Sequence, residues 1–318
     1  MTDDCDSFAL RLASPSPHRP KDFDALAIRA ATLRAIRHFF ETQAFLEVET
    51  PVRLAAPALE LHIDAIPADG AYLRTSPELH MKRLLAAGHG RIYQMGPCFR
   101  RGESGALHNP EFTLLEWYRR DADYRTIQAD TVALIRAVVS EITGGQTVAG
   151  FDGVPVDVGR PWHSLTVDAA FQQFAGWSPL AAYSADRFDL DLVNRVEPNL
   201  PRDRPVILTD YPIEAAALAR CRPGAPPVAE RWELYIGGLE LANAYSELID
   251  AAEQRRRFEA CACERRAMGR DVYPLDEPFL DALATLDCPC GGVALGVDRL
   301  VMLLAGTGDI TTVRPFCR

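Results

Sequence analysis

Four short stretches of the chain place ionisable and aromatic side chains at spacings that could do chemistry. Phe112, Leu114, Glu116 and Tyr118 alternate in a strand-like run, so a ring, a carboxylate and a phenol line up along one wall. Such a wall can stack a base at one end and bind an ammonium at the other; alone, it reads equally as a half-buried strand with Glu116 at its rim. The run from Gly237 to Leu248 carries Glu240, Asn243 and Glu247 among mostly apolar neighbours, including Leu241. Charges enter such runs when they are paired or when they bind a cation. Two carboxylates completed by substrate phosphates and water suit magnesium, while a salt-bridged strand end is the plainer alternative. Gly291 to Met302 reads as a small-residue strand that delivers Arg299 at the head of an apolar helix. Gly296 would let a flat ligand approach the backbone there, and a buried Asp298–Arg299 pair is the reading without a ligand. Finally, Arg100 opens a polar loop that runs to Asn109, and Arg74-Thr75-Ser76-Pro77-Glu78 places Ser76 as an N-cap, Pro77 as the first helical residue and Glu78 in the first turn.

Phosphate-cradling glycine loops are missing. No G-x-x-x-x-G-K-[ST] occurs, and no G-x-G-x-x-G stands between a strand and a helix. A nucleotide would have to be held by side chains on a sheet.

The elements that must position these residues follow from periodicity. Residues 1–21, rich in Pro and Ser from 11 onward, read as an N-terminal arm, and 22–318 as one catalytic-sized domain. Leu26, Ala30, Leu33, Ile36 and Phe40 predict a long amphipathic helix from Asp22 to about Ala44. Phe45 to Pro51 alternates apolar and acidic residues before a proline, as an edge strand does. Arg91–Met95 and Phe112–Tyr118 form a hairpin around the polar loop. Helices are expected over 126–143 and 251–268, and strands over 206–211, 231–237 and 292–297. Gly144–Gly159 and Asp186–Pro205 read as loop-rich insertions. Strands joined by long insertions and tight hairpins predict an α+β fold, a mainly antiparallel sheet flanked by helices.

Composition narrows the function. Forty-eight per cent of the 318 residues are hydrophobic, enough for a real core, and no apolar run reaches the ~20 residues that cross a bilayer. The acidic start lacks a secretory pattern, so the expected compartment is the cytoplasm. The C-x-C pairs Cys261/Cys263 and Cys288/Cys290 lack the spacing of structural zinc sites and read as free thiols. Thirty-four basic against 44 acidic residues give a net charge of −10, which disfavours a polyanionic partner such as tRNA. Arg255, Arg256, Arg257, Arg265, Arg266 and Arg270, interleaved with glutamates, read as a solvated, charge-laced helix face.

Taken together, the strings resemble a known family. Phe99-Arg100, followed by His108-Asn109-Pro110-Glu111-Phe112-Thr113-Leu114-Leu115-Glu116-Trp117-Tyr118, resembles motif 2 of class II lysyl-tRNA synthetases. Gly296-Val297-Asp298-Arg299 resembles motif 3, and the segment ending at Pro51 resembles the dimer-forming motif 1. With Thr75-Ser76-Pro77-Glu78, the strings are most similar to those of the lysyl-tRNA-synthetase-like elongation factor P (R)-β-lysine ligases, in order from about residue 22 onward. The resemblance implies a class II aminoacyl-tRNA synthetase core, a homodimer, and ATP with Mg2+. It implies that Arg100 holds the α-phosphate, that Asn109 contacts ATP, that Phe112 stacks on adenine and that Arg299 braces the triphosphate, with Arg101, Gly102, Glu103, Leu241 and Gly296 in the ATP site. Glu240 and Glu247 fall where the family meets magnesium and the substrate amine. Ser76, Pro77, Glu78, Glu116, Tyr118 and Asn243 fall around the lysine pocket. Motif 2 usually has its glutamate two places after the arginine, whereas here Glu103 comes one place later.

The implied reaction activates β-lysine or lysine as an acyl adenylate and passes it to a lysine of elongation factor P. A lysyl-tRNA synthetase shares these motifs but normally carries an anticodon-binding domain before motif 1, where the stretch from Met1 to Ala44 stands here. An asparagine synthetase of the same fold would find the acidic wall of Glu78, Glu116 and Glu247 the wrong sign for its substrate. A non-catalytic paralog would not be expected to keep Arg100, Glu240, Glu247 and Arg299. Ser76 is expected either to bear on which lysine isomer is used or to serve only as a cap.

Overall fold

Helix α1 (Lys21–Thr42) turns Ala35, Ile36 and Phe40 inward, where Phe40 stacks on Tyr93 with ring centroids 4.4 Å apart and lies 5.3 Å from Trp117. The computed structural model describes residues 21–316, so all of the expected N-terminal arm except Lys21 lies outside the described residues. Strand β1 (Leu46–Glu47) follows α1, and β2 (Arg91–Phe99) and β3 (Glu111–Arg120) form the expected hairpin, with β2 starting at Arg91 as expected but running on to Phe99 and β3 longer at both ends than alternation indicated. Between β1 and β2, α2 (Glu78–Ala86) buries Leu79, Met81, Lys82 and Leu85. It begins one residue later than expected, with Pro77 at the half-in position, because the Ser76 hydroxyl accepts from Glu78 N–H (2.9 Å).

Helix α3 (Tyr124–Thr143) starts where Asp123 accepts from the Arg125 and Thr126 amides. Strand β4 (His163–Thr166), helix α4 (Val167–Phe174) and strand β5 (Val206–Pro212) come next, then β6 (Val228–Ile236) and β7 (Leu239–Ser246). Gly237 and Gly238, both with positive φ (63° and 84°), make the two-residue turn between β6 and β7, a conformation other residues rarely adopt. Helices α5 (Ala251–Ala267) and α6 (Glu277–Leu283), strand β8 (Cys290–Gly296) and helix α7 (Val297–Ala305) complete the frame.

Eight of these strands lie in the order β1-β2-β3-β8-β7-β6-β5-β4, with a two-residue strand, Cys221–Arg222, added beside β6. Every pairing in that row is antiparallel except those at its ends, β1 with β2 and β4 with β5. The expected α+β architecture is therefore present. Two expectations need correction. The stretch 186–205 is largely helical: Ala185–Asp191, Leu192–Val196 and Glu197–Asn199 run on as consecutive turns, held by Phe188, Val196 and Leu200 in a satellite core with Phe171. Within Gly144–Gly159, Thr147–Val148 and Val156–Asp157 pair as a small hairpin. In both stretches a few apolar anchors carry the structure, and the polar residues around them hid the pattern.

The arginine-rich face of α5 is only partly solvated. Arg255 pairs with Glu277, and Arg256 and Arg257 pair with Glu253, but Arg265 is fully buried. Its guanidinium donates to the carbonyls of Glu60 (2.5 Å) and Ile63 (2.9 Å) and to Asp64 (2.6 Å), supplying donors that an irregular loop lacks for itself. Among the described residues no helix is long and apolar enough to cross a membrane.

Candidate active site

A cavity of about 260 Å³ opens on the face of β3, β7 and β8, roofed by α2, the 55–66 loop and the β2–β3 loop. Phe112, Leu114, Glu116 and Tyr118 all line it, as period-two alternation requires. Glu240 and Glu247 line it as well, although residues seven apart on a regular strand would face opposite ways. The pairing of β6 with β7 explains this: Leu234 faces Ala242 while Tyr235 faces Glu240, so Leu241 is an extra, bulged residue that returns Glu240 to the face of Asn243, Tyr245 and Glu247.

The floor is acidic. Glu116 is buried, and its carboxylate accepts from the Ser76 hydroxyl (2.7 Å) and the Tyr118 phenol (2.7 Å). Burial and the neighbouring Glu78 charge push its carboxyl up to about 8 against the pull of those two donors. Glu247 is also buried, with Oε2 2.5 Å from the Lys82 ammonium and Oε1 without a hydrogen-bond partner. Burial pushes Glu247 up, and Lys82 opposes that. Lys82 was not anticipated, although it sits four residues after Glu78 on α2 and pairs with it at 2.6 Å. Burial alone would lower its ammonium, but Glu247 and Glu78 together hold it above its ordinary range. Two carboxylates thus share one ammonium, with Glu116 beside Glu78. Gly292 permits this closeness, because a Cβ there would collide with the Tyr118 ring and with Glu247.

The opposite end is cationic. Arg100 lies over the Phe112 ring at 5.0 Å, 3.7 Å from Glu103, and its buried Nε has no partner. Arg299, on the first turn of α7, donates to the Glu240 carbonyl (2.8 Å) and carboxylate (3.2 Å) and meets His108 Nε2 at 2.7 Å. Burial and Arg299 lower the His108 pKa, which favours the neutral ring that can accept from the guanidinium. Asp298 does not pair with Arg299. It is buried against Arg29 and Arg314 and accepts from Thr113 N–H, which ties α7 to β3.

Fourteen of the residues picked out from sequence line this one cavity: Ser76, Glu78, Arg100, Glu103, Asn109, Phe112, Glu116, Tyr118, Glu240, Leu241, Asn243, Glu247, Gly296 and Arg299. Pro77, Arg101 and Gly102 do not. Arg101 turns away to Asp271 (2.7 Å), and Gly102, at φ 84°, serves the turn of the loop. Sequence reasoning missed Glu60, Lys82, His108 and Tyr245.

Comparison with known proteins agrees with this geometry. The family described as tRNA synthetases class II (D, K and N) matches residues 15–318. The elongation factor P--(R)-beta-lysine ligase of Vibrio cholerae is 38% identical over 91% of this chain and 93% of its own length, and that of Hamiltonella defensa matches to the same extent. The chain belongs to this ligase family, within the class II synthetases. A lysine--tRNA ligase from Moorella thermoacetica is also 38% identical, over 90% of this chain and 63% of its own length. The family accounts for the antiparallel sheet and for the order of the motif strands around the cavity.

Proposed function

We propose that this ligase activates a lysine-type amino acid, (R)-β-lysine foremost, with ATP and transfers it to a lysine side chain of elongation factor P. The observation that carries the reading is the polarity of the cavity, with Glu78 and Glu247 on the Lys82 ammonium and Glu116 beside them at the floor, and Arg100 and Arg299 at the other end. A substrate with ammonium groups and a carboxylate fits that gradient, whereas the side-chain carboxylate of aspartate would meet the acidic floor with like charge. The ligase relatives named above support the protein acceptor, and the −10 net charge works against tRNA.

In the first step the amino acid's carboxylate attacks the α-phosphorus of ATP and pyrophosphate departs. Arg100 meets the charge that builds on the α-phosphate oxygens, Phe112 offers a ring face to adenine, and Arg299, braced by Glu240 and His108, grips the triphosphate. Of the two carboxylates expected to meet Mg2+, Glu240 stands at the cationic end beside Arg299 with Glu233 as its nearest acidic neighbour and would offer oxygen to an ion completed by phosphates and water, whereas Glu247 is held by Lys82 on the floor, away from it. When bound, that ion would neutralise part of the triphosphate charge. We further propose a homodimer formed through the edge at β1, where Leu46 is half exposed.

Exchange of pyrophosphate into ATP tests the activation step: it should require β-lysine or lysine and fail with aspartate, and absence of exchange with both lysines would sink the reading. Substrate binding should also release protons. Before substrate arrives Glu116, at about 8, holds its proton at neutral pH, and an arriving ammonium favours the carboxylate, so affinity should rise with pH until about pH 8. Below that point it should weaken by up to about tenfold per unit. Calorimetry in buffers of different protonation enthalpy reads the proton count directly, and proton uptake at neutral pH would contradict the assignment.

A further inference from the structure

The transfer step requires a proton acceptor that the preceding assignments do not supply. An acceptor lysine is an ammonium at neutral pH, with a pKa near ~10.4, and only its neutral form can attack a carbonyl. Most carboxylates lining the cavity are engaged. Glu78 and Glu247 hold Lys82, Glu116 accepts from Ser76 and Tyr118, Glu240 holds Arg299, and Glu103 faces Arg100. Among the described residues Glu60 differs: it lines the cavity, and its carboxylate makes no hydrogen bond and no ion pair.

Its position is fixed from behind. The buried guanidinium of Arg265 grips the carbonyls of Glu60, Leu61 and Ile63, and Arg101 N–H donates to the Asp64 carbonyl at 2.7 Å, which ties this loop to the start of the β2–β3 loop beside Arg100. The charged groups facing Glu60 are Arg100 and Glu103 from the β2–β3 loop, Glu78 from α2 and Arg231 from β6, with the Tyr245 phenol of β7 nearby. We propose that Glu60 is the general base that takes the proton from the acceptor amine, an inference that rests on the amine transfer proposed above. The carboxylate removes one proton from the ammonium, and the freed nitrogen attacks the acyl carbon. The carbon–nitrogen bond forms, the bond from carbon to the adenylate oxygen breaks, and AMP leaves with that electron pair and the nitrogen's second proton. Burial pushes the Glu60 carboxyl up to about 7, where it can both take and return a proton at neutral pH.

The test compares Glu60→Gln with the wild type in single turnovers from preformed adenylate, using elongation factor P, methylamine and hydroxylamine as acceptors. Methylamine is an ammonium at neutral pH and hydroxylamine is not. Transfer to elongation factor P and to methylamine should fall about 10²-fold in the variant, while hydroxylamine trapping and pyrophosphate exchange stay near wild type. The wild-type rate should rise through about pH 7 and level off, and the variant should lose that limb and climb continuously with pH. Equal losses with all three acceptors, an equal loss in exchange, or no loss at all would overturn the role. If wild-type adenylate reacts with methylamine but not with elongation factor P, the functional reading fails, and the methylamine comparison still decides on Glu60.

Discussion

Lys82→Met should destabilise the protein by about 3–5 kcal/mol, the cost of leaving a buried charge without its partner. The Lys82 side chain is 1% exposed and stands between Glu78 and Glu247, the latter equally buried, so no water replaces the lost ammonium. The sign of the pH dependence follows from Glu247. Its carboxyl is already raised by burial and rises further without Lys82, and a raised acid contributes stability that is lost as pH increases. The deficit should therefore shrink as pH falls from neutral toward the ordinary carboxylate range. Denaturant unfolding of both proteins at several pH values measures it, and a deficit below about 1 kcal/mol at neutral pH would show that the pair is not isolated from solvent.

Arg100→Ala should slow adenylate formation by about 10²–10³-fold with little change in melting, the usual loss when one preorganised partner of a developing oxyanion is removed. The side chain rests on Phe112, and its ion-pair partner Glu103 at 3.7 Å is 32% exposed, so water can take over that contact when the guanidinium is removed. Pyrophosphate exchange at saturating ATP and β-lysine reads the effect. A variant that exchanges at near-normal rate would move the α-phosphate contact to another residue.

What sequence revealed of this site follows from which interactions are local. The wall of Phe112, Glu116 and Tyr118 needs nothing beyond strand alternation, and the Gly296–Arg299 junction needs only a strand meeting a helix. Glu240 and Glu247 share a face through the bulge at Leu241, and no residue in that run announces the bulge. Arg265 belongs to a helix whose other arginines are wholly or partly exposed, and nothing in its neighbours marks it as the one that turns inward to hold the 60–64 loop. Glu60 and Lys82 take their meaning from partners, or the lack of them, across the fold. The helical turns of 185–199 were obscured for a related reason, since three buried anchors suffice once Phe171 is there to receive them.

The central claim is that the activated amino acid goes to a protein lysine. The protein is incubated with ATP, Mg2+ and (R)-β-lysine together with elongation factor P or bulk tRNA, and the intact mass of the factor is followed beside acid-precipitable label on the tRNA. The account predicts a mass increase of one β-lysyl group on the factor and little label on tRNA. Efficient tRNA charging with no mass change on the factor would contradict it and make the protein a tRNA-charging enzyme.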